Sequence, residues 1–302
     1  MRPFSALDRI AEWSWLDKPA SALRDTVFAL LRNRRFRDVL HGVWLGHPLH
    51  PMMVQTPVGA FLFAGVIDAF PDRGAGERRA AESLIGLGLL TSIPATLAGA
   101  ADFAQAHEEQ QRTGLVHAVA NGAALTSYLL SLRWRSGGAE RAGVLAGWTG
   151  LALTAAGGLL GGHLSYHQST GVNHADAVPH VAPEEWTDLG ALTELRDRVP
   201  SRRMVGEVPV VVLRDGAELY VLADRCSHAS GPLSRGTLSW QSESSGNSPC
   251  LRCPWHGSVF RLSDGGVEHG PATAPQPTFH TRVVDGHVQA RVRRIPGVPA
   301  GG

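Results

Sequence analysis

Four stretches of this chain contain no Asp, Glu, Lys or Arg: residues 39–67, 83–101, 113–132 and 142–175. A helix crossing a bilayer needs about 20 mostly apolar residues, and each stretch is long enough after its polar ends are trimmed. Helices are therefore expected near 52–70, 83–101, 114–133 and 143–165. A helix in a soluble bundle keeps a charged outer face, and these four have none. The overall charged fraction of 18% lies below the ~25% of soluble domains, in keeping with a membrane bundle. Within the fourth stretch Gly143/Gly147, Gly157/Gly161 and Gly158/Gly162 are each four residues apart, a spacing that lets helices approach closely in lipid. With 28 basic and 27 acidic residues the formal net charge is +1. No basic field exists to hold a nucleic acid, and none is expected as a partner.

Residues 1–38 are polar and carry Arg32, Arg34, Arg35 and Arg37, without the short apolar core and small-residue cleavage site of a secretory leader. They are expected as a basic, amphipathic tail ahead of a transmembrane domain at 39–176. Basic residues near the spans number five on the tail's side (those four arginines and Arg112) and six on the other (Arg73, Arg78, Arg79, Arg133, Arg135 and Arg141), so the positive-inside rule is almost balanced. With no leader and an even number of spans, both termini are expected on the cytoplasmic side of a cell membrane.

After Asp176 the pattern changes. Residues 177–185, with Pro179 and Pro183, read as a linker, and 186–295 as a small all-β domain with a tail at 296–302. Strands are expected at Val208–Leu213 and Glu218–Ala223 around the Asp215-Gly216 turn, at Ser258–Leu262, and at Thr281–Val284 and His287–Val292 around Asp285-Gly286. The Ser- and Gly-rich stretch Ser239–Pro249 reads as a surface loop, and Cys250 beyond it is expected to remain a thiol.

That domain contains Cys226-Ser227-His228 and Cys253-Pro254-Trp255-His256-Gly257. Two Cys-His pairs point to a metal site with two thiolates and two imidazoles. Zinc accepts such a set, but zinc fingers usually arrange it as Cys-x-x-Cys followed by a His pair. Here each loop supplies one Cys and one His, which favours a binuclear iron–sulfur centre with thiolates on one iron and imidazoles on the other.

Residues from about 184 to 295 resemble a Rieske [2Fe–2S] domain. The resemblance rests on Cys226, His228, Cys253 and His256, on Gly231-Pro232-Leu233 after the first loop, and on a Gly270-Pro271-Ala272 segment that would cover the cluster. It implies that Cys226 and Cys253 hold an inner iron, and His228 and His256 an outer, more exposed one. The chain departs from the cytochrome bc type: Gly231 and Trp255 stand where that type has a disulfide, and Phe260 stands where it has a hydrogen-bonding tyrosine. Both changes imply a potential towards the ferredoxin end, with Ser258 left as a donor to a cluster sulfur.

His47-Pro48-Leu49-His50-Pro51 and the spans after it are similar to a bacterial four-helix membrane family of unknown function, occasionally fused to a Rieske domain. Four antiparallel spans bring His47, His50, Asp102, His107, His117, His163 and His167 to one membrane face. Ionisable groups in a span usually face the bundle interior. For His50, His117, His163 and His167 three readings stand: helix-end hydrogen bonding, a bis-histidine haem b, and a quinone or metal pocket.

The expected architecture is a two-domain membrane protein, with an N-terminal all-α four-helix transmembrane bundle and a C-terminal all-β Rieske-type domain. The expected function is a membrane-anchored carrier of single electrons, working with lipid and with a redox partner protein or a quinone. The alternatives are an electron-supplying subunit of an oxygenase or other redox complex, and a redox-gated transporter or sensor with Asp68 and Asp102 as ion sites. A self-contained oxygenase would need a second domain with a two-His, one-carboxylate iron site, and only 46 residues follow His256.

Overall fold

A computed structural model describes residues 5–243 and 246–293. It divides into two compact units, one of residues 1–32 and 49–170, the other of residues 33–48 and 171–302. The expected tail at 296–302 lies outside the described residues. The units cut the chain differently from the linear segments expected at 1–38 and 39–176, because residues 33–48 pack with the C-terminal β structure.

The first unit is helical. Helix α1 (Asp17–Leu30) buries Ala20 and Val27. A second helix, α2 (Arg34–His41), belongs to the other unit. Four longer segments follow: α3 (Gln55–Asp68, extended at its start by Leu49–Met53), α4 (Ala75–Phe103), α5 (Glu108–Ser136) and α6 (Glu140–Gly162, continued by a wider turn at His163–His167). All four are long and apolar enough to cross a membrane, with mean hydropathy between 1.2 and 1.7. The last three begin earlier than their charge-free windows, and α4 includes Arg78, Arg79 and Glu82. Charge excludes residues from lipid, not from a helix. α5 opens on a reciprocal cap in which the Gln110 side chain accepts from the His107 backbone N–H at 3.0 Å.

The bundle centre is a stack of Phe61 on Tyr128, with ring centroids 3.7 Å apart. A Cβ at Gly88 would overlap the Phe61 ring, and one at Gly150 would lie 2.9 Å from Tyr128. Among the spaced glycines of α6, Gly143, Gly157 and Gly161 press on α5, while Gly158 and Gly162 face open space. Leu62, Phe63, Leu90, Ile93, Val119, Leu129 and Leu145 are exposed, an outer apolar surface suited to lipid.

Asp68 is an ion-pair residue here. It binds Arg73 and the fully buried Arg135, whose Nη1 donates to Asp68 Oδ1 at 3.1 Å and whose Nε donates to Ser131 Oγ at 3.1 Å. Two guanidinium groups thus occupy the carboxylate proposed above as an ion site, and a buried charge is retained because it is paired.

Among the described residues, the second unit has three antiparallel sheets. The first joins β1 (Thr187–Ala191), β9 (Phe279–Val284) and β10 (His287–Val292) in the order β1-β10-β9. The second is β2 (Ser201–Val205), β3 (Val208–Asp215) and β4 (Glu218–Ala223). The third is β5 (Thr237–Glu243), β6 (Gly246–Arg252), β7 (Val259–Arg261) and β8 (Val267–His269). The β3–β4 and β9–β10 hairpins fall at the expected turns, with Gly216 and Gly286 at positive φ. Within the expected loop Ser239–Pro249, the described residues 239–243 and 246–249 are instead arms of the β5–β6 hairpin, in register from Ser239 opposite Cys250 to Glu243 opposite Gly246. Backbone pairing needs no apolar alternation, so a polar hairpin arm reads as a loop. The expected linker also contributes to the fold: Val178–Val181 is a helical turn, and Val178 and Ala182 pack on the core of Val205, Val210, Val221 and Val288.

Candidate metal centre

The two Cys-His loops emerge at the ends of short strands. The first follows β4 and the second joins β6 to β7. Cys226 and Cys253 are both buried in one apolar cluster with Leu222, Leu233, Leu251, Phe260 and Ala272, and they share a thiol–thiol hydrogen bond. The backbone N–H groups of His228 and Ala229 point at the Cys226 sulfur, and those of Trp255 and His256 at the Cys253 sulfur. His228 and His256 stand beside one another, ring centroids 4.9 Å apart and nearly perpendicular. All four expected ligand residues therefore converge.

The thiols titrate as a pair. The hydrogen bond from Cys226, reinforced by the N–H groups of Trp255 and His256, brings Cys253 down to about 7. The same bond, together with burial, pushes Cys226 well up. One negative charge is therefore stabilised between the sulfurs before the second forms.

Backbone geometry holds the loops in these positions. In the first, Cys226 N donates to Gly231 O at 2.9 Å and Ser230 N to Cys226 O at 2.8 Å. In the second, Cys253 N donates to Ser258 O at 2.8 Å, and Gly257 turns at φ +76°. A Cβ on Gly231 would lie 2.8 Å from Cys253 Sγ and 3.1 Å from Trp255. Gly231 and Trp255 are thus spatial neighbours, and the close approach of the loops depends on glycine at 231. Ser258 is fully buried, and its Oγ accepts from Ala272 N at 2.9 Å, which leaves its own hydrogen free to donate. Cys250, on β6, directs its thiol at Ser248 O, 3.5 Å away.

Three further residues support the loops, and none was expected from the sequence to lie near them. Gln276 is buried; its Oε1 accepts from Ser227 N at 2.9 Å, and its Nε2 donates to Ala223 O at 2.8 Å and Arg225 O at 2.6 Å. Asp38, on α2, accepts from Gly270 N at 2.9 Å and pairs with His269 Nδ1 at 2.7 Å. Arg34, one turn earlier, donates to Gly257 O at 2.8 Å. No sequence signal marks these contacts, which join positions up to 232 residues apart.

The membrane histidines form two sets. His50 Nδ1 donates to Ala95 O and His117 Nδ1 to Gly157 O, both at 2.8 Å. Their rings meet edge to face with centroids 6.3 Å apart, packed on Gly99 and Gly161. His163 and His167 stack on each other at 4.6 Å. His47 lies in the 33–48 segment, within the other unit.

Two soft thiols and two imidazoles, one of each from either loop, with N–H groups aimed at the sulfurs, suit an asymmetric [2Fe–2S] cluster. Comparison with known proteins agrees. The Rieske [2Fe-2S] domain family matches residues 185–280, and a family described as predicted membrane protein (DUF2231) matches residues 46–174. The anthranilate 1,2-dioxygenase ferredoxin subunit of Burkholderia cepacia is 33% identical over 108 residues, 36% of this chain and 93% of the relative. Ferredoxin CarAc of Metapseudomonas resinovorans is 30% identical over 104 residues, 34% and 90% of the two chains. Among solved structures, the ferredoxin of carbazole 1,9a-dioxygenase from Nocardioides aromaticivorans IC177 is 25% identical, covering 36% of this chain and 98% of that one, with a TM-score of 0.32.

Proposed function

The chain belongs to the Rieske [2Fe-2S] family through its C-terminal domain, and from that premise we propose that it is a membrane-anchored carrier of single electrons. The carrying observation is the convergence of two buried, hydrogen-bonded thiols with two adjacent imidazoles. In this reading Cys226 and Cys253 hold one iron, and His228 and His256 the other. The bound cluster supplies reversible one-electron chemistry.

The chain's own groups set how that chemistry runs. Four backbone N–H groups and the Ser258 hydroxyl stabilise negative charge on sulfur, which favours the reduced state. Phe260 offers no hydroxyl, and Gly231 and Trp255 offer no disulfide, so the potential sits in the ferredoxin class. Trp255 is half exposed beside His256, and this rim is where a redox partner protein docks. The similarity to ferredoxin subunits of dioxygenases supports an oxygenase component or comparable enzyme as that partner. Four apolar spans anchor the carrier in lipid, with the β domain on the cytoplasmic face. His50 and His117, hydrogen-bonded to carbonyls of neighbouring helices, are assigned to helix packing and not to haem b.

Replacing His228 or His256 by Ala tests the ligand assignment. Each variant is expected to lose the iron–sulfur spectrum while the chain stays in the membrane fraction. A normal iron–sulfur spectrum in either would refute the assignment.

A further inference from the structure

We propose that Asp8, His163 and His167 form a mononuclear site for a first-row divalent transition metal, separate from the cluster residues. His163 and His167 are four residues apart in the widened last turn of the fourth span, with their rings stacked at 4.6 Å. Asp8 Oδ1 lies 3.1 Å from His167 Nε2 and 3.6 Å from His163 Nε2, and one ligand atom from each of the three residues falls within 4.8 Å of the others.

The separations fit a shared ion, and His163 is the residue that a hydrogen-bonded cluster would leave unsatisfied. Ligand atoms at ~2.0–2.2 Å from a common ion sit about 2.8–3.1 Å apart when adjacent in an octahedron and about 3.3–3.6 Å apart in a tetrahedron, and the measured 3.1 and 3.6 Å fall within that span. A carboxylate bonding to His163 would come closer. Instead His163 Nε2 is buried without a hydrogen-bond partner, in a side chain only 7% exposed. A buried polar atom in that condition is costly, and a metal ion would satisfy it.

The third ligand is held in place beforehand. Asp8 precedes a turn in which Ile10 and Leu16 bury against Leu160. Arg112 donates to Ala11 O at 2.6 Å and to Asp17 Oδ1 at 2.6 Å, fixing this turn on α5. Asp8 and His167 remain exposed on their outer side, so water can complete the coordination. Two imidazoles and a carboxylate with open positions suit zinc and ferrous iron.

The test uses the full chain in detergent with its cluster intact. After dialysis against a mild chelator that leaves the cluster absorbance unchanged, Co2+ is titrated as a spectroscopic probe and Zn2+ is added in competition. One equivalent of Co2+ giving ligand-field bands, bleached by Zn2+, is expected. His163→Ala, His167→Gln and Asp8→Asn should each weaken it roughly tenfold or more, given that outer-sphere changes alone are worth ~10–100-fold. His167 and Asp8 are exposed, so their variants keep the test valid if His163→Ala fails to fold. Metal analysis of the isolated protein is expected to show one zinc, or one iron beyond two per chain. Absence of a Co2+ equivalent, or binding unchanged in the Asp8 and His167 variants, would overturn the site.

Discussion

Gln276→Ala is the sharpest perturbation the structure offers, because one buried side chain makes three hydrogen bonds to the backbone around the first cysteine loop. Truncation leaves Ser227 N–H and the carbonyls of Ala223 and Arg225 without this partner. Each buried polar group so orphaned costs about 1–3 kcal/mol. Water entering the vacated space recovers part of that, so a net loss of ~3 kcal/mol is expected. For a unit of this size 1 kcal/mol moves the melting temperature by ~2–4 °C, hence a fall of ~6–12 °C. The assay is thermal loss of the cluster's visible absorbance in the full chain. Ser227→Ala, which removes only the 2.8 Å bond from Ser227 Oγ to Ala274 O, provides the scale and should cost about 1 kcal/mol. If Gln276→Ala melts no lower than Ser227→Ala, the claim that Gln276 holds the loop is refuted.

Two further outcomes follow from named contacts. Ser258→Ala removes a buried hydroxyl beside the cysteine cluster; if its bond is worth ~1.4 kcal/mol more to the reduced state, the potential falls by ~60 mV, and voltammetry that shows no fall would remove Ser258 from the account. Asp68→Asn leaves the fully buried Arg135 without its closest carboxylate, a change worth about 3–5 kcal/mol, so the helical signal in detergent should melt earlier, and an unchanged melt would show that this pair contributes nothing.

The sequence is most legible where a single residue type excludes alternatives. Absence of charge marks the four spans because lipid tolerates none, and the Cys-His loops are visible because few chemistries need that set. What stays hidden depends on contacts distant in sequence. Asp38 looks like one more polar residue of a basic tail, and only the fold brings it to His269 and Gly270. Gln276 sits between two prolines and reads as a loop residue, although it is among the most buried polar groups. The outer part of the β5–β6 hairpin escapes notice because its sequence is dominated by Ser, Gly, Gln and Asn, which signal a loop. Asp68 looks like a helix-end cap or an ion site until Arg73 and Arg135 are seen around it.

The central claim, a Rieske-type cluster held by Cys226, His228, Cys253 and His256 in a membrane carrier without haem, is tested most directly by optical and EPR spectra of the detergent-purified chain, oxidised and dithionite-reduced. The account predicts a rhombic Rieske-type signal on reduction and no Soret or α bands. Zinc in place of iron, with neither signal, would contradict it.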